Sequence, residues 1–206
     1  MSENNSKLNI AELIITKLCH DLAGPIGGIN NGVEMLNEDD ESLKDTALEL
    51  LNMSSGEALS RLQFFRFAYG TVDTESSVSI ENIKLLVNNF FNIAKSKPVW
   101  EISEGVENFT KKHAKLLVNS ILTVSTFMLK GGEIIIKIKS VGFSISGKSE
   151  KIKVDERIKS IFDNTFNSEL DEKAIQPYLT KTLLDNFSNG YSFENSENFV
   201  TLLINY

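Results

Sequence analysis

Cysteine is nearly absent from this chain: Cys19 is the only one among 206 residues. A single thiol excludes an internal disulfide, and with two histidines and no Cys-x-x-Cys pair the sequence holds no zinc-binding pattern. Long apolar runs are missing too. None approaches the roughly eighteen residues of a membrane span, so no membrane association is expected. The opening MSENNSKLNI has neither the basic start nor the apolar stretch of a secretory signal, and a cytoplasmic location is the expectation. Positive charge is in deficit, at a net −7, which argues against a nucleic-acid partner because such a partner needs a basic face. No Gly-x-Gly occurs anywhere, and that removes a common way of bringing backbone amides up to nucleotide phosphates.

What is present is an ordinary globular balance, 41% hydrophobic and 24% charged, in a length that accommodates two modest domains. The acidity is not evenly spread. Residues 1–70 hold 11 Asp and Glu against 5 Lys and Arg, so nearly all of the net charge lies in the first third.

From Asn9 to Asn37 apolar residues recur at Ile10, Ile14, Leu18, Leu22, Ile26, Ile29, Val33 and Leu36, in steps of three or four. That spacing predicts one long amphipathic helix, with a kink or local loosening near Pro25, which lacks a backbone donor. After a short acidic turn at Asn37–Glu41, a second stripe runs through Leu43, Ala47, Leu50, Ser54, Ala58, Leu62, Phe65 and Tyr69 and stops at Gly70. Two such helices, each about 40 Å long at the helical rise, form an antiparallel hairpin. A hairpin alone cannot bury its apolar stripe, and pairing of two copies into a twofold four-helix bundle is the simplest remedy.

The polar segment Thr71–Ser77 reads as a linker. The expected division is 1–72 for the hairpin and 73–206 for an α/β sandwich. Within the second part, helical stretches are expected at Glu81–Ala94, Lys111–Leu129, Glu156–Phe166 and Glu172–Phe187. Strands are expected at Val99–Ser103, Glu133–Ser140, Gly142–Ser146, Lys151–Val154, Gly190–Glu194 and Phe199–Asn205. The fold class is therefore α+β.

The segment that carries chemistry is Leu18-Cys19-His20-Asp21-Leu22-Ala23-Gly24-Pro25-Ile26, in the middle of the first helix. His20 lies two residues past Leu18, about 200° around the helix, and so points away from the stripe. Around it on that side are Thr16, Lys17, Ala23, Gly24, Gly27 and, further along, Asn31. Small residues beyond the imidazole leave room for another protein to approach, and Lys17, one turn earlier, is placed to balance a negative group carried on the ring. A neutral imidazole offers one nitrogen for attack on phosphorus while the other carries a hydrogen bond. Taken alone, His20 reads as an ordinary exposed polar side chain.

The surrounding motif changes that reading. A His followed by an acidic residue, an apolar one, two further positions and Pro with an apolar residue resembles the phosphoacceptor segment of histidine kinases. Together with Ile29-Asn30-Asn31-Gly32-Val33-Glu34-Met35-Leu36, the chain looks most like the ChpT-type bacterial histidine phosphotransferases. The resemblance implies a homodimeric four-helix bundle bearing a phosphorylatable His20, followed by a degenerate version of the kinase ATP-binding domain. It further implies for Asp21 a part in orienting the ring or sharing its proton. The function implied is relay of a phosphoryl group between receiver-domain aspartates, with no cofactor of its own, the receiver supplying Mg2+. A hybrid histidine kinase receiver is the implied donor, and CtrA-type and CpdR-type regulators are the implied acceptors. The alternatives are a divergent active histidine kinase and a non-catalytic scaffold that binds receivers.

Other residues receive plainer readings. Gly28 and Gly32 fit close helix contact. At Gly24 kinases often carry a Thr or Asn associated with receiver dephosphorylation, and that side chain is missing. Asn119 matches the kinase magnesium-holding Asn in type but is more simply a polar surface position. His113 reads as a surface residue, and Trp100 as strand packing.

Overall fold

The computed structural model describes the backbone of residues 3–38, 40–71 and 76–206, and the side chains among these from Leu8 onward. The chain divides into two compact units, Met1–Tyr69 and Gly70–Tyr206. Residues 72–75, most of the expected linker, lie outside the described residues.

The first unit is a helical hairpin of α1 (Glu3–Leu36) and α2 (Lys44–Tyr69), joined by a short 3-10 turn at Glu41–Leu43. Asp40 caps that turn, its carboxylate accepting from the Ser42 amide at 2.9 Å. The helix α1 continues through Pro25, whose missing backbone donor does not end it. Gly28 and Gly32 set the approach of the two helices. A Cβ on Gly28 would lie 2.3 Å from Ser54 Oγ, and one on Gly32 would lie 2.7 Å from Leu51 Cγ. Ala47 and Ser54, both buried, face this contact from α2.

The apolar stripes are only partly covered within one copy. Ile15, Ile26, Val33 and Leu36 on α1 are exposed, as are Leu48, Leu59 and Leu62 on α2. At about 100° per residue, α1 therefore carries three faces. One is turned to α2 through Pro25, Gly28 and Gly32. One is apolar and exposed, through Ile15, Ile26 and Val33. The third contains His20.

The second unit is a five-stranded sheet covered by helices on one side. Its strands are β2 (Ser96–Ile102), β4 (Gly132–Lys139), β5 (Gly142–Lys148), β6 (Gly190–Asn195) and β7 (Phe199–Asn205), in the order β2-β4-β5-β7-β6. β2 and β4 are parallel and the other pairs antiparallel. Two three-residue strands, β1 (Ser77–Ser79) and β3 (Asn108–Thr110), form a separate antiparallel pair. Alternation places Ile134, Ile136, Ile138, Phe143, Ile145, Val200, Leu202 and Ile204 on the covered face, all buried. Each such side chain contributes about 1.5–3 kcal/mol of burial free energy. The helices are α3 (Ile80–Phe91), α4 (Lys111–Thr126), α5 (Glu156–Phe162) and α6 (Ile175–Phe187). α4 is buried all round from Leu116 to Val124, between the sheet and α6.

Several elements differ from the sequence expectation for local reasons. α4 stops at Thr126 because the Ser125 and Thr126 hydroxyls bond back to the carbonyls of Leu122 and Thr123, both at 2.7 Å. α5 ends at Phe162, and Asn164 follows with φ 59°, the left-handed region that stops a helix. α6 starts at Ile175, later than expected, because Asp171 closes the preceding turn by accepting from the Lys173 and Ala174 amides. The strand expected at Lys151–Val154 is only an isolated bridge between Ile152 and Met128.

Candidate functional site

His20 projects from the middle of α1 with 87% of its side chain exposed. Thr16, Ala23, Gly24, Gly27 and Asn31, the residues expected around it, are exposed as well. A Cβ at Gly24 or at Gly27 would meet nothing within 4 Å, in contrast to Gly28 and Gly32. The helix backbone beyond the imidazole is therefore bare on the side toward which His20 points.

Asp21 lies beside both His20 and Lys17. Its Oδ1 lies 3.4 Å from His20 Nδ1, a long contact, and its Oδ2 accepts from Lys17 Nζ at 3.1 Å. Lys17 and Asp21 are each only 21% exposed, so this ion pair is held against the helix surface. The Lys17 ammonium, expected to balance a group on the ring, is thus engaged by the carboxylate. On α2, burial together with the negative charge of Asp21 raises the Tyr69 phenol far above its ordinary range, leaving it neutral. The importance of Tyr69 to this cluster was not legible in the sequence, since it follows from the hairpin bringing residues 21 and 69 together.

A proton on Nδ1 would face this carboxylate and leave the ring lone pair on the more distant nitrogen, Nε2. What the arrangement offers chemically is an accessible imidazole on a long helix, with one carboxylate beside it and space above it for a protein surface. Among the described residues no group of three or more His, Cys, Asp or Glu side chains could hold a metal ion.

In the second unit Asn119 is fully buried, contrary to its reading as a surface position. Its Nδ2 donates to the Lys115 carbonyl at 2.9 Å, and its Oδ1 accepts from Gln176 Nε2 at 3.2 Å. Beside this pair Thr123 and Thr180 hydroxyls meet at 2.7 Å, and all four residues are at most 2% exposed. α6 thus packs directly on the face of α4 that carries Asn119. His113 is half-buried, its ring stacked on Tyr206 at 4.2 Å, and burial and Lys112 hold its pKa below the ordinary value. Trp100 is strand packing as expected, with Nε1 donating to Asn88 of α3 at 3.0 Å.

Comparison with known proteins agrees with this architecture. A family model described as the histidine phosphotransferase C-terminal domain matches residues 80–199. Protein phosphotransferase ChpT of Brucella abortus (strain 2308) is 26% identical over 186 residues, which cover 87% of either chain. A bacterial phosphotransferase of known 1.7 Å structure superposes with a TM-score of 0.80 at 24% identity, over 99% of this chain and 97% of that one. The histidine kinase AdeS of Acinetobacter baumannii superposes with a TM-score of 0.46 at 12% identity, over 92% and 94%.

Proposed function

Because the chain belongs to the histidine phosphotransferase family, whose C-terminal domain spans residues 80–199, we propose that His20 carries a phosphoryl group between receiver-domain aspartates. The observation that carries this reading is the exposure of His20 at 87% above the bare backbone of Gly24 and Gly27. A receiver must bring its aspartyl phosphate within bonding distance of the ring, which requires that space.

In the loading step the Nε2 lone pair attacks phosphorus, the P–O bond to the receiver aspartate breaks, and its electron pair stays on the receiver carboxylate. The ring keeps its Nδ1 proton, facing Asp21 Oδ1. Discharge to a second receiver runs the same displacement in reverse, with an aspartate oxygen attacking and Nε2 recovering its electron pair. Charge on the equatorial oxygens is neutralised by the Mg2+ that receivers hold, so this chain positions the nucleophile and needs no metal. Thr16, Ala23, Gly24, Gly27 and Asn31 form the docking surface around His20. Following the family resemblance, the donor is a hybrid histidine kinase receiver and the acceptors are CtrA-type and CpdR-type regulators.

The relay operates without ATP. α6 lies on the Asn119 face of α4, and the chain lacks the glycine turns that seat nucleotide phosphates. It operates as a homodimer, the exposed apolar residues of α1 and α2 pairing with their copies in a four-helix bundle. Its place is the cytoplasm, in keeping with receiver partners; no described helix is long and apolar enough to cross a membrane.

The test is to mix the purified chain and Mg2+ with either labelled ATP or a labelled phosphorylated receiver, and to measure acid-labile phosphate on wild type and His20→Ala. Label is expected from the receiver alone, and only with His20 intact. Label taken directly from ATP would indicate an active kinase, and none from a panel of receivers would indicate a scaffold.

A further inference from the structure

The contacts of Asp21 point to a residue that the transfer reaction depends on without touching phosphorus. The carboxylate has two oxygens and two neighbours. Oδ2 accepts from Lys17 Nζ at 3.1 Å and Oδ1 lies 3.4 Å from His20 Nδ1. Adjacent helical residues do not face each other, so an aspartate at position 21 does not naturally turn toward position 20. Lys17 does stand on the same side as Asp21, one turn earlier at the i,i+4 spacing.

Resting on the relay reading above, we propose that Lys17 is a positioning residue. By holding Oδ2 it fixes the plane of the Asp21 carboxylate, turns Oδ1 to Nδ1 and so keeps the proton on Nδ1 and the lone pair on Nε2. Two observations separate this role from direct phosphate contact. The Lys17 side chain is only 21% exposed whereas His20 is 87% exposed, so the ammonium lies along the helix and not beside the solvent-facing nitrogen. Its charge is also already matched by a carboxylate that is itself 21% exposed, where solvent weakens the pair less than at an open surface. Tyr69 of α2, whose phenol is raised by burial and by the Asp21 charge, stays neutral beside this carboxylate.

Chemically the consequence is the choice of nitrogen. Free histidine favours the proton on Nε2, which would leave the nucleophilic lone pair on Nδ1, close to the helix and crowded by Asp21. Holding the proton on Nδ1 leaves the exposed Nε2 ready to attack, and gives the phosphorylated ring a fixed acceptor for its remaining proton.

The test uses full-length Lys17→Met, Lys17→Arg, Asp21→Asn and the Lys17→Met/Asp21→Asn double variant. Nitrogen-15 chemical shifts of the His20 ring, read where imidazole is neutral, report which nitrogen holds the proton. The Nδ1–H form is expected to dominate in wild type and Lys17→Arg and to give way to Nε2–H in Lys17→Met. An unchanged ring in Lys17→Met would overturn the proposal. In transfer from a labelled phosphorylated receiver, Lys17→Met is expected to lower the maximal rate about tenfold, mid-range for coupled contacting side chains, with KM unchanged. In the Asp21→Asn background the same substitution should cost nothing more. A raised KM, or an equal loss without the carboxylate, would mean that Lys17 meets the partner directly, and would also overturn it. A wild-type chain that takes no label defeats the relay reading instead, and the ring signal still decides the role of Lys17.

Discussion

Gln176 of α6 donates its side-chain amide to Oδ1 of Asn119 on α4 at 3.2 Å, with both residues out of reach of water. The side chain that resembles a kinase metal-holding residue is therefore spent on helix packing. Millimolar Mg2+-ATP is expected to leave the melting temperature unchanged, whereas a ligand present at 100 times its Kd would add about 2.7 kcal/mol. Thermal denaturation with and without nucleotide measures this.

Gln176→Ala takes a donor from a buried acceptor and should destabilise the second unit by about 1–3 kcal/mol. Urea denaturation followed by the fluorescence of Trp100 in β2 reads the change. A loss within experimental error would mean that the α4 and α6 contact relies on its apolar members alone.

Glycines eight positions apart on α1 should respond in opposite directions. Gly24→Ala meets open space, so it should stabilise the hairpin by about 0.5–1 kcal/mol through helix propensity while weakening receiver docking. Gly32→Ala drives a methyl group into Leu51 and toward the Ala47 carbonyl, and should cost about 1–3 kcal/mol through overpacking. Melting curves and receiver KM values for the two variants distinguish the surfaces.

The exposed apolar face of the hairpin predicts the effect of a charge placed on it. Ile26→Asp or Leu59→Asp should convert a dimer to monomer in light scattering, because neither carboxylate can be buried between two copies without a partner. A wild-type chain that is already monomeric would refute the bundle.

Asp171 gives the second unit an acid-sensitive element. Burial pushes its carboxyl upward, but the hydrogen bond and charge of Arg157 and the amides of Ala174 and Lys173 outweigh that and leave it below the ordinary value. A carboxyl lowered in the folded state stabilises above the unfolded pKa, and that contribution fades as pH falls through the folded one. Asp171→Asn keeps an acceptor for the two amides and loses only the charge facing Arg157, so it should cost at most about 1 kcal/mol at neutral pH, with wild type and variant converging in strong acid. Melting temperatures of both proteins across that range provide the measurement.

Local periodicity carried much of this architecture. β7 falls at Phe199–Asn205 as the alternation predicts, and both hairpin helices follow their three- and four-residue steps. β1 and β3 escaped because three residues are too few to display a period. Lys151–Val154 alternates like a strand, but only Ile152 finds a backbone partner. Asn119 was misread because what buries it is a glutamine 57 positions later, and no local pattern announces that pairing. At the candidate site, the exposure of His20 and the bare glycines follow from helical spacing alone. That Lys17 is turned to Asp21 does not, since a lysine at that spacing is equally able to extend into solvent.

The three faces of α1 have a bearing on how this protein can diverge. The residues that pack on α2, the exposed apolar row and the surroundings of His20 occupy separate sides of one helix. On the proposed docking surface, duplicated copies would be able to drift at Thr16, Ala23 and Asn31, and so to part company over which receivers they serve, while the row at Ile15, Ile26 and Val33 stayed as it was inherited. On the proposed bundle, such copies would still pair with one another through that row.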